Sequence, residues 1–519
     1  MNNQLLLAVA AFALFFYVAA ALFNWVRSPL RSIPGPMLAR FTDFWYFFRI
    51  KQGSFEKVNI SLHEKYGMSM CRGPIVRYGP NRYSIDDAEA SKTIYGHGTQ
   101  FPKSIWYSSF QPNDTWWNIF FDQSIKRHAH NRRFFAHAFS MTSLVNYEPY
   151  LDECGEIFSQ RMLEFSKAGA PVDIGHWFQC FAFDAVAYIT YGKRLGFLDH
   201  GDDIGQVIEN LDASLIYSSL AGIFPSFHHY IAPVLSALGP LFRTDRIMYV
   251  MNFTQSRVTE ERASPKSVAE SKTDVEGAGV GETFLRKYLA KHSEDPDAFT
   301  NYHILIGCAT NMFAGSDTTG ISLSGILYHL LRNPDCVTKL RAEIDDFSNR
   351  GELSENPTFK QGHDMPYLQA VIKEALRMHS AVGLPLERVV PEGGATIADR
   401  FFPEGSVVGI NSWVQHHNKS IFGQDADKFC PERWLIDDED KLSLMNRNWM
   451  PFGLGSRTCL GKNVSILEMT KLIPRIIRDF DFKLDGDAAA PGGSWTTANA
   501  WFVKPRGFCV RVEPRKLST

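Results

Sequence analysis

Apolar and polar residues alternate along most of the chain with the spacing of amphipathic helices. The stretches 125–165, 297–332, 334–347 and 366–379 repeat apolar side chains every three or four positions, which is the helical period. Runs with the alternation of a strand, such as Ser69–Gly79 and Gly405–Val414, are short and few. The pattern predicts a mainly α protein with small β-sheets.

The first 26 residues carry no charged side chain. Leu5–Phe23 would form a helix of roughly 28 Å, which is about the thickness of the apolar part of a bilayer. Arg27, Arg31 and Arg40 follow this run, and positive charge after a span favours the cytosolic side for the rest of the chain. The sequence therefore predicts a single transmembrane anchor.

Three regions follow from this pattern: an anchor over residues 1–26, a proline-rich hinge over 27–36 and one large domain over 37–519. A cleaved signal peptide is the alternative, since Ala19, Ala20 and Ala21 could serve a peptidase. The lack of a basic residue before the apolar run argues against that alternative. The polar segment Glu260–Glu282 is predicted to be an exposed loop between helices, or a domain boundary.

Charge and motifs exclude several classes of function. A net charge of −2 without a long basic run argues against a nucleic-acid partner. Neither GxGxxG after a strand nor GxxxxGK[ST] occurs, so no flavin, nicotinamide or nucleotide site is predicted. The eight cysteines lie far apart without CxxC spacing, which predicts reduced thiols in a reducing compartment.

The stretch "FGLGSRTCLG" (Phe452–Gly461) places a cysteine in a glycine-rich loop directly before a helical pattern. Glycine permits tight turns and close approach to a partner group. The free N–H groups at a helix start favour a thiolate over a thiol. Cys459 is therefore a candidate metal ligand or nucleophile, with a structural buried cysteine as the ordinary alternative.

The stretch Asn301–Pro334 is apolar on nearly all sides and predicts a helix buried in the middle of the domain. Its centre, Ala314–Thr319, holds a glycine, an acid and hydroxyl residues where a buried helix favours apolar ones. These residues are either a functional site or ordinary polar residues of a partly exposed turn.

Two further segments carry charges at telling positions. Glu374 and Arg377 lie three residues apart and so share one face of a predicted helix. Arg433 lies among apolar residues and prolines, where its guanidinium could join the same carboxylate. Alone, Glu374 and Arg377 would be read as a surface ion pair.

Together these segments resemble the cytochrome P-450 superfamily of haem-thiolate monooxygenases. FxxGxRxCxG is matched at Phe452, Gly455, Arg457, Cys459 and Gly461. The central-helix pattern AGx[DE]T[TS], ExxR and the PER motif follow at Ala314–Thr319, Glu374–Arg377 and Pro431–Arg433. The resemblance covers essentially the whole chain. It is most similar to microsomal enzymes of filamentous-fungal secondary metabolism.

The resemblance implies a role for each residue. Cys459 would be the axial ligand of the iron of haem b, on a loop shaped by Phe452, Gly453, Gly455 and Gly461. Arg457 and Arg388 would pair with the haem propionates. The family often has WxxxR in an earlier helix, and here "KRHAHNRRFF" offers His128 and Arg132 for those places, with His128 a departure from the pattern.

The central helix and the charged segments receive roles in the same way. Ala314 and Gly315 would open a groove for dioxygen, Thr318 would hydrogen-bond dioxygen, and Asp317 would help to deliver protons. Glu374, Arg377 and Arg433 would form a structural network on the cysteine side of the haem.

The implied activity is a monooxygenase that hydroxylates, epoxidises or demethylates a hydrophobic small molecule at the endoplasmic reticulum membrane. Electrons would come from NADPH through a separate reductase, docking near Arg447, Lys462 and Lys471. The alternatives are a haem-thiolate isomerase or dehydratase and a non-catalytic haem sensor. Asp317 and Thr318 argue against both.

The substrate cavity is expected between four apolar segments. They are Phe101–Trp117, Ile306–Phe313, Ala381–Leu386 and the stretch around Trp501. Because these segments hold many aromatic residues and few charges, a neutral, lipophilic substrate is predicted, aromatic or terpenoid in type.

Overall fold

A computed structural model describes residues 3–67, 73–111, 116–228, 230–231, 246–263, 282–490 and 493–516. Most of the predicted loop Glu260–Glu282 and the first residues of the run Ser69–Gly79 lie outside these ranges. Within them, helices dominate and strands are short, as the sequence pattern predicts.

The helices follow the apolar periodicity of the sequence. Their bounds in chain order are Asn3–Arg27, Phe44–Lys51, Phe55–Gly67, Ala90–Tyr95, Ile125–Ala136, Met141–Leu144, Glu148–Ala168, Ile174–Tyr191, Phe197–His200, Val207–Ala221, Arg246–Ala263, Phe284–Glu294, Asn301–Arg332, Pro334–Asn349, Phe359–His363, Pro366–Met378, Ser412–His416, Lys419–Phe422, Glu439–Asn448 and Lys462–Asp479.

The predicted helix 125–165 is divided into three in the structure. The hydroxyl of Ser140 accepts a hydrogen bond from the N–H of Ser143 and so caps a new short helix. Pro149 then stands in the first turn of Glu148–Ala168, where its missing N–H costs nothing. A single periodic pattern therefore covers three helices because their apolar faces meet the same core.

Asn301–Arg332, here called the central helix, is buried along most of its length and runs without a break through Ala314–Thr319. It packs against Ile174–Tyr191 at very short range. A Cβ on Gly315 would lie 2.9 Å from Val186, and one on Gly320 would lie 2.9 Å from the Cα of Gln179. These glycines therefore allow the two helices to touch.

The strands form small sheets at the edges of the helical body. One sheet has the order Ile75–Gly79, Arg82–Ile85, Val407–Gly409 and Arg388–Val389, with the middle pair parallel. A second has the order Val172–Asp173, Cys509–Pro514 and Phe480–Leu484. Two hairpins, Thr496–Ala500 with Phe502–Arg506 and Ala395–Ile397 with Arg400–Phe402, complete the set in the described ranges.

The amino-terminal helix Asn3–Arg27 carries exposed apolar side chains, among them Leu7, Phe12 and Phe15. Among the helices of the described ranges, none combines the length and the apolar character needed to cross a membrane.

The proline-rich segment 27–36, predicted to be a hinge, packs onto the body of the protein. Leu30 and Ile33 are buried, and the carbonyl of Pro34 accepts a 2.8 Å hydrogen bond from the N–H of Arg77. A Cβ on Gly35 would lie 2.2 Å from the Arg77 carbonyl oxygen. Glycine is needed at Gly35 because two backbones meet there.

Candidate active site

A cavity of about 280 Å³ lies between the central helix and the cysteine loop Phe452–Gly461. Most of the predicted site residues line it, namely Cys459, Arg457, Phe452, Gly453, Gly461, His128, Arg132, Arg388, Ala314, Gly315 and Thr318. The fold therefore gathers side chains from four distant parts of the sequence around one space.

The cysteine loop is held in a tight turn. Gly453 and Gly455 have φ values of +67° and +62°, which glycine adopts easily and other residues rarely adopt. A Cβ on Gly455 would lie 1.7 Å from the carbonyl oxygen of Tyr95. The N–H of Cys459 donates a 2.8 Å hydrogen bond to the carbonyl of Phe452 and closes the turn.

Cys459 faces the cavity just before Lys462–Asp479, with Gly461 at the helix cap. Burial raises the pKa of its thiol, while the N–H groups of Gly461 and Lys462 and the charge of Arg132 act in the opposite direction. The sulfur is nevertheless open to the cavity, where a metal ion would favour the thiolate.

Positive side chains line another part of the cavity. Burial and the neighbouring cations Arg388 and Arg132 lower the pKa of Arg457 to about 10. Burial, followed by the charges of Arg457 and Arg132, lowers the pKa of His128 to about 3. No carboxylate is among the described residues that line the cavity, so the guanidinium groups of Arg388, Arg132 and Arg457 give it an excess of positive charge.

One donor in this cluster lacks an acceptor within the protein. Arg457 donates from Nη1 to the carbonyl of Asp122 at 2.6 Å, while its buried Nη2 has no hydrogen-bond partner. A buried donor without a partner is costly. A flat group with carboxylates at one edge and a metal ion at the cysteine would satisfy both ends, so the residues present fit a haem.

On the central helix, Thr318 lines the cavity and its hydroxyl donates a 2.8 Å hydrogen bond to the carbonyl of Ala314. Ala314 is exposed to the cavity. Gly315 also lines the cavity. Its close contact with Val186 leaves no room for a side chain, so helix packing also explains a glycine here, which the groove prediction did not include. Hydroxyl and backbone groups thus lie on the cavity side of the helix.

Asp317 does not line the cavity. Its carboxylate is fully buried, accepts a hydrogen bond from Gln179 and forms an ion pair with Lys504 at 2.7 Å. Burial raises the pKa of Asp317, and the charge of Lys504 opposes this rise. The predicted catalytic pair Asp317 and Thr318 therefore faces two different environments in this structure.

The charged network predicted from ExxR and PER is present. Arg377 donates from Nε and Nη2 to the two carboxylate oxygens of Glu374 at 2.8 Å, and Arg433 Nε donates to Glu374 at 2.9 Å. Arg377 also donates to the carbonyls of His416 and Ala426. Because all three charged side chains are buried, the surface ion-pair alternative is wrong.

Lys471, predicted as part of a reductase-docking patch, is buried. Its ammonium forms ion pairs with Glu148 at 2.9 Å and Asp152 at 2.8 Å. It joins Lys462–Asp479 to Glu148–Ala168 and is unavailable to a partner protein. Arg447 is exposed and Lys462 is half-buried, so these two keep their place in the prediction.

The four segments expected to wall the substrate cavity all contribute residues to it, including Tyr107, Ile306, Val382 and Trp501. Sequence reasoning missed a fifth wall, formed by Val186, Ile189 and Thr190 on the helix Ile174–Tyr191. It also missed Lys103, a buried cation within the wall. The apolar pattern of the helix Ile174–Tyr191 predicts an ordinary core helix and does not indicate a cavity wall. The lysine within an aromatic run, by contrast, was visible in the sequence.

Comparison with known proteins identifies the family. The cytochrome P450 family model matches residues 34–494, and the chain belongs to this family. Pisatin demethylase of Fusarium vanettenii is 38% identical over 98% of this chain and 94% of its own length. Cytochrome P450 monooxygenase cicH of Emericella nidulans is 34% identical over 97% of each chain.

Membership confirms the fold and the general activity. The chain is a cytochrome P450 monooxygenase, an oxidoreductase whose family uses a haem-thiolate cofactor and electrons from a redox partner, usually NADPH-linked. The mainly helical body with small sheets agrees with this family.

Proposed function

We propose that this cytochrome P450 oxidises a neutral, largely apolar aromatic molecule in fungal secondary metabolism, and that removal of a methyl group from an aryl ether is its reaction. The observation that carries this proposal is an aromatic wall along one side of the cavity. Trp501 lies 5.8 Å, centroid to centroid, from both Tyr107 and Phe120, and all three residues line the cavity. Rings of this kind favour a flat aromatic ligand.

The choice of demethylation over other oxidations is supported by the relatives. Two of the similar proteins are named pisatin demethylase, at 38% and 36% identity. In this reaction the aryl methyl ether, dioxygen, NADPH and a proton give a phenol, formaldehyde, water and NADP⁺. The two electrons from NADPH and one oxygen atom end in water, and the second oxygen atom leaves in formaldehyde.

Cys459 is proposed as the protein ligand of the haem iron, and Arg457, Arg388, Arg132 and His128 as the groups facing the propionates. A bound haem supplies the oxidising chemistry at an otherwise unactivated C–H bond. The cysteine loop would keep Cys459 just before the helix Lys462–Asp479, while the aromatic wall would hold the substrate and exclude water.

Thr318 and Asp317, on the central helix, are proposed to deliver protons during the reaction. The Thr318 hydroxyl, on the cavity side, would hydrogen-bond dioxygen after it releases the Ala314 carbonyl. Asp317 would exchange protons with solvent through Lys504, to which it is paired. Glu374, Arg377 and Arg433 would act structurally, by holding the chain on the cysteine side.

The helix Asn3–Arg27 is proposed to attach the enzyme to the endoplasmic reticulum membrane, with the catalytic domain 37–519 in the cytosol. Its exposed apolar side chains and the uncharged run over residues 1–26 support this proposal. The full chain should resist alkaline carbonate extraction from microsomes, and added protease should digest its body. A processed chain recovered from the lumen would support the signal peptide instead.

An NADPH-linked reductase is proposed as the partner, near exposed Arg447 and half-buried Lys462. The test of function combines the purified enzyme, that reductase, NADPH and a panel of aryl methyl ethers. Matched aromatic compounds that lack the methyl ether serve as controls. Formaldehyde formed in proportion to phenol supports demethylation. Hydroxylated product with the methoxy group intact, across all ethers that shift the Soret band, would replace demethylation by hydroxylation.

A further inference from the structure

Trp501, at the tip of the hairpin Thr496–Ala500 with Phe502–Arg506, has a backbone conformation that is unusual for a large residue. Its φ is +75°, in the left-handed region that favours glycine, and its side chain is buried. Such a conformation is costly and persists only where surrounding contacts enforce it. In this conformation the indole lines the cavity and lies 5.0 Å, centroid to centroid, from Trp106. The strain therefore accompanies the placement of one ring of the aromatic wall.

Backbone hydrogen bonds attach the hairpin tip to two distant segments. The N–H of Gly383 donates to the carbonyl of Trp501 at 2.9 Å. Asn499, two residues before Trp501, is buried, and its own N–H donates to the carbonyl of Gly53 at 2.8 Å. These bonds fix the backbone on both sides of the tip, but they do not involve any side chain.

The side chain of Asn499 ties these contacts to a buried acid. Its Nδ2 donates to Glu56 Oε2 at 2.7 Å and to the carbonyl of Gly383 at 3.1 Å. Glu56 lies in the first turn of the helix Phe55–Gly67 and is fully buried. A Cβ on Gly383 would collide with the Asn499 amide, so glycine is needed for this approach. One amide therefore joins Glu56 to the loop that holds the Trp501 carbonyl.

Packing alone does not explain an acid at Glu56. Within the described part of the chain, neither Glu56 Oε1 nor Asn499 Oδ1 has a hydrogen-bond partner. Burial raises the pKa of Glu56, and the hydrogen bond from Asn499 opposes this rise. A proton held on Glu56 would supply the donor that these two oxygens lack. Burying a carboxyl group costs free energy that an apolar side chain of similar size would not cost, so the contact with Asn499 needs a reason of its own.

We propose that Glu56 is a positioning residue, which holds Trp501 in the aromatic wall of the substrate cavity through its hydrogen bond with Asn499. Release of the Asn499 amide would let the hairpin tip relax from its positive φ and would withdraw the indole from its neighbouring rings. Glu56 does not line the cavity, so it acts on the fit of a ligand without touching it. The proposal rests on the aromatic wall proposed above and not on which oxidation the enzyme performs.

Azole ligands test this role without a known substrate. Imidazole and bifonazole, an imidazole that carries three aromatic rings, both bind the iron of the holoenzyme and shift its Soret band. At equal haem content, Glu56→Met should raise the Kd of bifonazole about 3- to 10-fold and leave that of imidazole unchanged, because only bifonazole carries rings that can contact the aromatic wall. Glu56→Gln, which keeps an acceptor for Asn499, should restore the wild-type ratio of the two Kd values. Glu64→Met, at an exposed acid on the same helix, is the matched control and should keep that ratio.

Trp501→Leu removes the ring itself and sets the largest change in the ratio that Glu56 can cause. Adding Glu56→Met to Trp501→Leu should change the ratio no further, because both substitutions act through the same ring. If Glu56→Met does not hold haem, Asn499→Ala breaks the same bond and should give the same loss. A wild-type ratio in Glu56→Met or Asn499→Ala, or additive losses in the double variant, would overturn the role of Glu56 and leave the aromatic wall in place. A wild-type ratio in Trp501→Leu would overturn both.

Discussion

The carboxylate of Asp317 and the ammonium of Lys504 form a buried ion pair, with 2.7 Å between Oδ2 and Nζ. Lys504 lies on the strand Phe502–Arg506 and also pairs with Asp212 on the helix Val207–Ala221. One cation therefore serves two carboxylates from different elements. This arrangement joins the central helix to the hairpin whose turn carries Trp501.

The shared cation predicts unequal effects of two substitutions. Lys504→Met leaves the buried carboxylate of Asp317 without its cation and should lower the free energy of unfolding by about 3 to 5 kcal/mol. Asp317→Asn leaves Lys504 paired with Asp212 and should cost clearly less. Urea unfolding of both holoenzymes measures the difference. A larger loss in Asp317→Asn than in Lys504→Met would contradict the shared pairing.

The Glu374 network yields a prediction about folding. Glu374→Gln leaves Arg377 buried without a carboxylate and Arg433 with Asp425 alone, which should cost about 3 to 5 kcal/mol and sharply reduce the yield of haem-loaded protein. Glu432→Gln is the matched control, because its carboxylate pairs with Lys339 at the surface. The measurement is the haem content per protein after expression. Comparable yields for the two variants would contradict the prediction.

The sequence predicted the parts of the site that lie within motifs. Cys459 and its glycines form a local turn, and the glycine φ values follow from the same few residues. The pairing of Glu374, Arg377 and Arg433 could also be predicted. One helical turn brings Glu374 and Arg377 together, and the carboxylate can accept from a second guanidinium group, that of Arg433.

What the sequence could not supply depends on contacts between distant segments. Nothing in the local sequence says that Lys471 is buried between two acids, or that Gly35 meets Arg77. The orientation of the Asp317 side chain also depends on a contact with a distant segment. The motif places it next to Thr318, but Lys504 comes from a strand almost 190 residues later, and its charge draws the carboxylate away from the cavity.

His63 gives a prediction about acid stability. Burial lowers its pKa to about 3, and its Nε2 lies 2.8 Å from the hydroxyl of Ser84. In the unfolded chain the pKa is near 6.5, so between pH 6.5 and 3 the unfolded state binds a proton that the folded state does not. The free energy of unfolding should therefore fall as pH falls, by up to about 1.4 kcal/mol per pH unit.

The measurement compares urea unfolding at pH 7.0 and 5.5 in the wild type and His63→Gln, in which the amide can still reach Ser84. The loss of stability at pH 5.5 should be smaller in the variant. His97→Gln, at an exposed histidine, should lose as much as the wild type. An identical loss in His63→Gln and wild type would show that folding does not lower the pKa of this histidine.

The hydroxyl of Thr318 is predicted to decide how electrons are used. Thr318 lines the cavity, and in this structure its Oγ1 donates to the carbonyl of Ala314 at 2.8 Å. Replacing that bond by one to dioxygen is inexpensive, because the Ala314 carbonyl belongs to a continuous helix and keeps its backbone partner. Without the hydroxyl, protons would reach dioxygen less selectively and more of the electrons should leave as hydrogen peroxide.

Thr318→Val tests this role, because valine keeps the branched shape and removes the hydroxyl, while Thr318→Ser keeps the hydroxyl and removes the methyl group. At equal haem content, the amount of oxidised product per NADPH consumed should fall several-fold in Thr318→Val and stay near the wild-type value in Thr318→Ser. Peroxide should rise by the corresponding amount. If Thr318 only packs, Thr318→Ser should be the more damaging change, because the missing methyl group leaves a cavity that lowers stability or haem content. The amount of oxidised product per NADPH consumed should then be unchanged in both variants. An unchanged ratio in Thr318→Val would therefore remove the hydroxyl from the reaction and leave the proton path to other groups on the central helix.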